Sequence, residues 1–169
     1  MNPILAAWND AEDADAVRVL LHCCAAQRWA RAMASQRPFA NEAALYAAAD
    51  ALWATMQEPD WMEAFHAHPR IGARKAAEAS QQSKAWSSQE QAQVQAAQSS
   101  VLSALAEGNR AYEERFGFTY IVCATGKSAE EMLAILQRRL ESSRDAELRE
   151  AAEQQRQITQ IRLRKWLTA

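Results

Sequence analysis

Residues 143–167 read SRDAELREAAEQQRQITQIRLRKWL, and this stretch decides the fold class. Alanine, glutamate, glutamine, leucine and arginine fill most of it, and these residue types favour the α-helix, which no glycine or proline interrupts here. The whole chain of 169 residues has a similar composition, with only four glycines and four prolines. We therefore expect an all-α protein in which residues 1–169 form a single-domain helical bundle.

Helix-start signals divide the chain further. Each signal is a capping residue, in some places followed by a glutamate three positions later, and the candidates are Asn9 or Asp10, Asn41, Asp60, Ser87 and Ser128. Together with the spacing of apolar residues they predict helices near 10–34, 41–57, 60–66, 74–82, 88–115, 128–141 and 143–167, the first of them broken around Cys23.

One segment departs from the helical pattern. Residues 116–124 read FGFTYIVCA, and such aromatic and β-branched residues are typical of a strand. No partner strand is evident, so the backbone groups there must bond to side chains, water or a ligand. We predict a short extended segment near 118–124 that lines the functional site. Simple core filling is the alternative, and this segment alone does not separate the two interpretations.

Charge and cysteine content argue against several protein classes. Nineteen basic and twenty-one acidic residues give a net charge of −2 without a long basic run, so we expect no nucleic-acid partner. Cys23 and Cys24 are adjacent and Cys123 is distant, which fits neither a disulfide framework nor a zinc site. His66 and His68 would face apart on a helix, and we predict no metal site. Lacking an evident signal peptide or membrane-spanning stretch, the protein is expected in the cytoplasm.

The stretch His68-Pro69-Arg70-Ile71-Gly72 is the first candidate for chemistry. A residue before proline is driven out of the helical conformation, so His68 should be extended and accessible at the end of a helix. Histidine exchanges protons near neutral pH, which suits a proton-handling residue. A helix-ending turn with an exposed histidine is the alternative, and this pentapeptide taken alone favours it.

Glu90 and Arg162 are charged residues on predicted apolar helix faces. Ser87-x-x-Glu90 reads as a capping box, yet helical spacing also places Glu90 on an inward face, where a carboxylate needs a partner or a ligand. Arg162 lies four residues from Ile158 and from Trp166, within the apolar stripe of the last helix. An arginine that extends along the surface to solvent is the alternative for this position.

Four motifs, in this order and spacing, resemble those of the OHCU decarboxylase family. They are His68-Pro69-x-Ile71-Gly72, Ser87-x-x-Glu90-Gln91, Phe116-Gly117-Phe118 leading into residues 120–124, and Arg162-Leu163. The resemblance covers almost the whole chain, and the first and third motifs are specific when they occur together. Tyr120 stands where phenylalanine is usual. OHCU is 2-oxo-4-hydroxy-4-carboxy-5-ureidoimidazoline, and the resemblance implies its decarboxylation to (S)-allantoin and CO2 in uric acid degradation.

The resemblance also implies what the protein uses for this reaction. It suggests an all-helical carboxy-lyase without a cofactor, typically a homodimer, that takes a small-molecule ureidoimidazoline and uses no metal, nucleic acid or membrane. Carried over by position, His68 is the expected proton donor and Glu90 the second catalytic residue. The expected substrate-binding residues are Pro69, Ser87, Ser88, Gln89, Glu90, Gln91, Tyr120, Ile121, Val122, Cys123, Ala124 and Arg162.

Two other functions remain open from the sequence. One is a ureide-binding protein that keeps the pocket and changes or loses the reaction, and the other is a non-catalytic helical interaction module with an exposed groove. The discriminating feature is spatial, because an enzyme must gather His68, Glu90 and Arg162 around residues 120–124. An interaction module would scatter them over its surface.

Overall fold

Helices account for all regular secondary structure in the computed structural model, which describes residues 1–72, 81–92 and 98–169. No strand occurs in these ranges, so the all-α prediction is confirmed. No helix in the described ranges is long and apolar enough to cross a membrane. The nine helices of the described ranges are α1 (Pro3–Asn9), α2 (Asp13–Cys23), α3 (Gln27–Ser35), α4 (Glu42–Trp53), α5 (Glu58–His66), α6 (Gln81–Glu90), α7 (Ser99–Phe116), α8 (Ala129–Arg139) and α9 (Arg144–Trp166).

Side-chain caps start two helices where the sequence predicts them. The Asn41 side chain accepts a hydrogen bond from the Ala44 N–H at 2.9 Å at the start of α4. The Ser128 hydroxyl accepts one from the Glu131 N–H at 3.2 Å at the start of α8. Each cap satisfies a backbone donor that has no partner within the helix, and both predicted starts are confirmed.

The prediction of a first helix over 10–34 has the wrong start, but its break around Cys23 is confirmed. Asn9 is the last residue of α1 and Asp10 its C-cap, so neither of them begins a helix. The actual start signal is Asn2, which caps α1 and is followed by Pro3 at the first helical position. The chain does break after Cys23, because Cys24 is extended, with φ −149° and ψ 119°, between α2 and α3.

The prediction of one helix over 88–115 is wrong. Helix α6 ends at Glu90, and α7 begins at Ser99 after Gln98, whose ψ of 149° is extended. An apolar face therefore does not continue from Glu90 into α7. The predicted helix 74–82 lies mainly outside the described residues, and only its last two positions fall in α6.

The chain divides into two compact units. Met1–Ala64 and Arg156–Ala169 form the first unit, and Phe65–Gln155 form the second. Buried tryptophans hold the first unit together, since the indole N–H of Trp8 donates to the Ala16 carbonyl at 3.0 Å and that of Trp29 to the Ala49 carbonyl at 3.1 Å. These bonds let large apolar rings enter the core with their single polar group satisfied.

The second unit packs α7 against α8 around an aromatic cluster. A Cβ at Gly108 of α7 would lie only 2.6 Å from Cδ2 of Leu136 in α8, so the absence of a side chain permits the close approach. The Tyr112 ring lies 5.7 Å from the Phe118 ring and 5.4 Å from the Tyr120 ring, centroid to centroid. These contacts hold the chain that leaves α7, where the sequence predicts the functional segment.

Candidate functional site

Helix α5 ends just before Pro69, where the sequence predicts a helix end. Helix α5 ends at His66, and the backbone N–H of His68 donates to the Phe65 carbonyl at 3.1 Å in a final turn. Pro69 is buried and His68 half-buried, which places the ring of His68 at the edge of the core instead of fully in solvent. The pre-proline argument thus gives the correct end of the helix. The alternative interpretation also has a helix-ending turn here, but the histidine in this turn is half-buried and not exposed.

The imidazole of His68 is held by a glutamine from the last helix. Its Nε2 lies 2.6 Å from Oε1 of Gln155, and Gln155 is completely buried in α9. A short contact between a buried amide and a ring nitrogen fixes the rotation of the ring as well as its position. The structure therefore presents a histidine whose orientation is set by the second unit itself.

The backbone after Pro69 is tied down at two points. The Ile71 carbonyl accepts a hydrogen bond from Nδ2 of Asn109 at 2.9 Å, and the Gly72 N–H donates to Oε1 of Gln91 at 3.0 Å. Gly72 has a φ of 78°, in the left-handed region that glycine adopts without steric strain. The first and second motifs of the sequence therefore meet in the structure.

The residues from Ser87 to Gln91 form the end of α6 instead of the start of a helix. Ser87 lies inside α6, and the Gln91 N–H donates to the Ser87 carbonyl at 3.1 Å, so the predicted capping box is wrong. Ser87 and Gln91 are buried on one face, one helical turn apart. Ser88 and Glu90 are half-buried, and Gln89 is exposed.

Residues 119–124 form an irregular segment held by side chains. The Cys123 N–H donates to Oε1 of Gln154 at 2.9 Å, and its carbonyl accepts from Nζ of Lys127 at 2.7 Å. The Ile121 carbonyl accepts from a guanidinium nitrogen of Arg139 at 2.6 Å. Side chains therefore take the place of a neighbouring strand, as expected for backbone of this composition inside a helical protein.

A buried charged network lies against this segment. Arg139 donates from Nε to Glu147, and the hydroxyl of Tyr112 donates to the same carboxylate at 2.5 Å. Burial would lower the pKa of Arg139, but the hydrogen bond and charge of Glu147 outweigh it and raise that pKa. The guanidinium also lies 4.9 Å from the Tyr120 ring centroid. The network therefore fixes the position of the Ile121 carbonyl, which accepts from Arg139.

Gln154 and Gln155 connect two predicted parts of the site. They are consecutive residues of α9; the first bonds to the Cys123 N–H and the second to the His68 ring. The histidine and the irregular segment are therefore anchored to adjacent positions of one helix. Within the second unit, His68 and Cys123 thus both bond to side chains of α9. In the same unit, Gln91 bonds to the Gly72 N–H.

Arg162 belongs to the first unit and is buried there. It is 4% exposed, and Nη1 lies 3.4 Å from the His22 carbonyl that it faces as a donor. The interpretation of Arg162 as a surface residue with its head group in solvent is therefore wrong. Burial raises the pKa of the Cys23 thiol to about 12, and the positive charge of Arg162 acts against that rise.

Comparison with known proteins identifies the family. The family model for OHCU decarboxylase matches residues 9–164. This chain belongs to the OHCU decarboxylase family. A relative from Arabidopsis thaliana, the uric acid degradation bifunctional protein TTL, is 37% identical over 144 residues, a match that covers 85% of this chain and 44% of that protein. The chain thus spans less than half the length of this relative.

Two solved structures resemble this chain. The crystal structure of an OHCU decarboxylase in the presence of (S)-allantoin superposes with a TM-score of 0.76 and 34% identity, covering 94% of this chain and 100% of the other. The crystal structure of an (S)-allantoin synthase gives a TM-score of 0.71 at 18% identity, covering 96% of this chain and 53% of the other. The second comparison supports the fold alone.

Several residues of this OHCU decarboxylase family member contact the candidate site although the sequence did not single them out. Gln154, Gln155, Lys127 and Arg139 all bond to residues of the first or third motif. Gln154 and Gln155 sit in a polar run that resembles a solvated helix face, so residue type gave no signal. Among the described residues, no group of three or more histidines, cysteines or carboxylates is arranged to hold a metal ion.

Proposed function

We propose that this protein decarboxylates OHCU to (S)-allantoin and CO2 in uric acid degradation. The observation that carries the proposal is the common anchoring of the His68 ring and the Cys123 N–H on Gln155 and Gln154, in a chain of the OHCU decarboxylase family. It supports the proposal because the two glutamines hold a proton-exchanging ring and a backbone segment whose amide edges match the amide-like ring of a ureidoimidazoline.

The chemistry of the substrate requires little beyond such a site. When the bond between the ring carbon and the carboxylate breaks, its electron pair forms a double bond to the adjacent carbon, the π electrons of that carbon's C=N bond move to nitrogen, and this ring nitrogen takes up a proton. The hydroxyl on the same carbon then loses its proton as the ring carbonyl forms, and the adjacent carbon gains one. Delivery of this last proton from one face sets the S configuration.

We assign the proton transfers at the adjacent carbon and at the hydroxyl to His68 and Glu90. His68 donates to the carbon, since its ring is held in one orientation at the edge of the core. Glu90 accepts the hydroxyl proton, and its half-buried place at the end of α6, beside Gln91, supports this role. A partly desolvated site also favours loss of the carboxylate charge.

The family resemblance supports a set of polar groups as the substrate-binding residues. The groups that the family motifs supply are Pro69, the residues from Ser87 to Gln91, the backbone of residues 120–124 and the guanidinium of Arg162. Arg162 suits a carboxylate or a ring carbonyl because its guanidinium is rigid and always charged. Its assignment rests on the Arg162-Leu163 motif and on the burial of its side chain.

A stereochemical assay tests the proposal. OHCU is generated freshly from uric acid, the purified protein is added, and the product is followed by circular dichroism. Spontaneous decay gives racemic allantoin, so the expected result is an optically active product formed faster than in a sample with heat-denatured protein. A racemic product formed at the uncatalysed rate would contradict the proposal and favour a ureide-binding or interaction protein.

We further propose that the protein is a cytoplasmic homodimer. The family resemblance supports the dimer, and three free, buried cysteines suit a reducing compartment. Light scattering coupled to size exclusion measures the mass in solution, for comparison with the 18.9 kDa chain. Fractionation of the cells that produce the protein tests the compartment.

A further inference from the structure

The contact between His68 and Gln155 determines which ring nitrogen carries the hydrogen. Oε1 of Gln155 lies 2.6 Å from Nε2 of His68, and an amide oxygen only accepts hydrogen bonds. We propose that Gln155 is a positioning residue that holds neutral His68 as the Nε2–H tautomer and makes Nδ1 the nitrogen that exchanges a proton with the substrate. The second half of this inference rests on the proposed function; the tautomer does not.

The chemistry of the amide supports this division of roles. Gln155 is completely buried, and an amide oxygen takes up no proton near neutral pH, so the hydrogen on Nε2 stays on the ring. His68 therefore donates only after Nδ1 has taken up a proton, and the proton that it gives to the substrate carbon leaves from Nδ1 while the hydrogen on Nε2 stays in place. A carboxylate at the same place would instead stabilise the charged ring, whereas the neutral amide orients the ring without adding charge.

Gln154, the residue before Gln155 in α9, is also held by hydrogen bonds of its side chain. The Gln154 side chain accepts from the Cys123 N–H at 2.9 Å and donates to Glu150 at 2.9 Å, so its amide is held at both ends at this turn of α9. Gln155 follows directly and approaches the ring from the helix. The ring orientation therefore depends on a contact that neither lies in the motif of His68 nor is close to it in sequence.

Nitrogen-15 NMR tests the tautomer without any substrate. The chain has three histidines, and comparison with His68→Asn assigns the signals of the His68 ring. We expect a ring N–H signal at Nε2 that is protected from solvent exchange, with Nδ1 unprotonated in the neutral ring. Gln155→Met should abolish this protection, and Gln155→Glu, which keeps an acceptor oxygen at the same reach, should restore it. A neutral wild-type ring with its hydrogen on Nδ1 instead of Nε2, or unchanged protection in Gln155→Met, would overturn the inference.

Gln160→Met provides the matched control. Gln160 is another buried glutamine of α9, but its amide donates to the Tyr46 carbonyl at 2.9 Å and to Asp50 at 2.8 Å in the first unit. The same substitution there removes a comparable buried amide and should leave the His68 ring signal unchanged. Loss of the ring signal in this control would attribute the effect to general destabilisation and overturn the positioning role.

Kinetics test the catalytic half separately. Gln155→Met should lower kcat for OHCU by about 100-fold, the cost of a misplacement of about 1 Å, with a smaller change in KM. A wild-type kcat in that variant would overturn the positioning role even if the tautomer is correct. Wild-type protein that shows the Nε2–H tautomer but has no activity on OHCU would overturn the proposed function and leave only the tautomer assignment standing.

Discussion

Gln91 accepts a hydrogen bond from the Gly72 N–H at 3.0 Å, which joins the last residue of one family motif to the last residue of another. The two residues are far apart in sequence, and Gly72 has the positive φ of 78° that directs its N–H toward the glutamine. Gln91 is buried. It therefore fixes the loop that begins at His68 in addition to any contact with substrate.

Loss of this acceptor should weaken the fold measurably. Gln91→Met leaves the Gly72 N–H without its partner, and we expect the free energy of unfolding to fall by about 1 kcal/mol. Urea unfolding in the absence of substrate measures the change. Gln82→Met, at an exposed position of the same helix, serves as the control and should unfold like wild type. Equal stabilities of the two variants would contradict the role of Gln91 in the loop.

His68→Asn should abolish most catalysis without unfolding the protein. Asparagine is polar and of similar reach but cannot act as an acid near neutral pH, so turnover should fall by about two to four orders of magnitude. Optical activity of the product measures the rate, and circular dichroism of the protein checks the fold. His66→Asn, at an exposed histidine nearby, should react like wild type. A wild-type rate of optically active product in His68→Asn would remove His68 from the mechanism.

Glu90→Gln separates a catalytic carboxylate from a structural one. Because Ser87 lies inside α6, Glu90 does not complete a capping box there, and the substitution should change the melting temperature little. Turnover should fall by about two orders of magnitude or more, since the amide cannot accept the hydroxyl proton. Glu141→Gln, at an exposed position, controls for the change in charge. Near wild-type turnover in Glu90→Gln would show that the catalytic assignment is wrong.

Cys123→Ala should retain most turnover, because the contacts of Cys123 with Gln154 and Lys127 use its backbone and not its thiol. Gln154→Met, which removes the acceptor for the Cys123 N–H, should reduce turnover more than Cys123→Ala does. Steady-state rates of both variants measure the difference. Detection of a covalent adduct on Cys123 during turnover, by mass spectrometry, would replace this interpretation with a nucleophilic mechanism.

Arg139→Met should destabilise the second unit strongly. It removes the donor to the Ile121 carbonyl and leaves the carboxylate of Glu147, which is 1% exposed, without its cationic partner. Breaking one side of a buried ion pair costs about 3–5 kcal/mol of unfolding free energy. Urea unfolding measures the loss, and Arg138→Met, at the exposed neighbouring position, is the control. A loss below about 1 kcal/mol would mean that the network contributes little to holding the segment.

The sequence predicts those features that depend on local chemistry. The helical composition, the caps at Asn41 and Ser128 and the end of a helix before Pro69 all depend on a few neighbouring residues, and the structure has them. The irregular segment was found for the same reason, since its aromatic and β-branched residues stand out. Its lack of a partner strand left side chains, water or a ligand as partners for its backbone, and the structure shows side chains in that role.

The errors occur where distant contacts decide the structure. Ser87 has a sequence compatible with a cap, but its side chain is buried in the body of α6, where local signals carry no information. Gln154 and Gln155 resemble surface glutamines until the fold places the Cys123 N–H and the His68 ring against them. Burial of Arg162 agrees with its predicted place in the apolar stripe between Ile158 and Trp166, and the surface alternative is the interpretation that fails.

Adjacent anchoring on α9 has a mechanical consequence. Because Gln154 and Gln155 belong to the same turn of one helix, a small rigid displacement of that helix carries both of their partners in the same direction. Thermal motion therefore changes the separation between the imidazole and the Cys123 amide less than it changes the position of either group relative to the remaining core. The alignment of these two groups depends on the stiffness of a single helical turn.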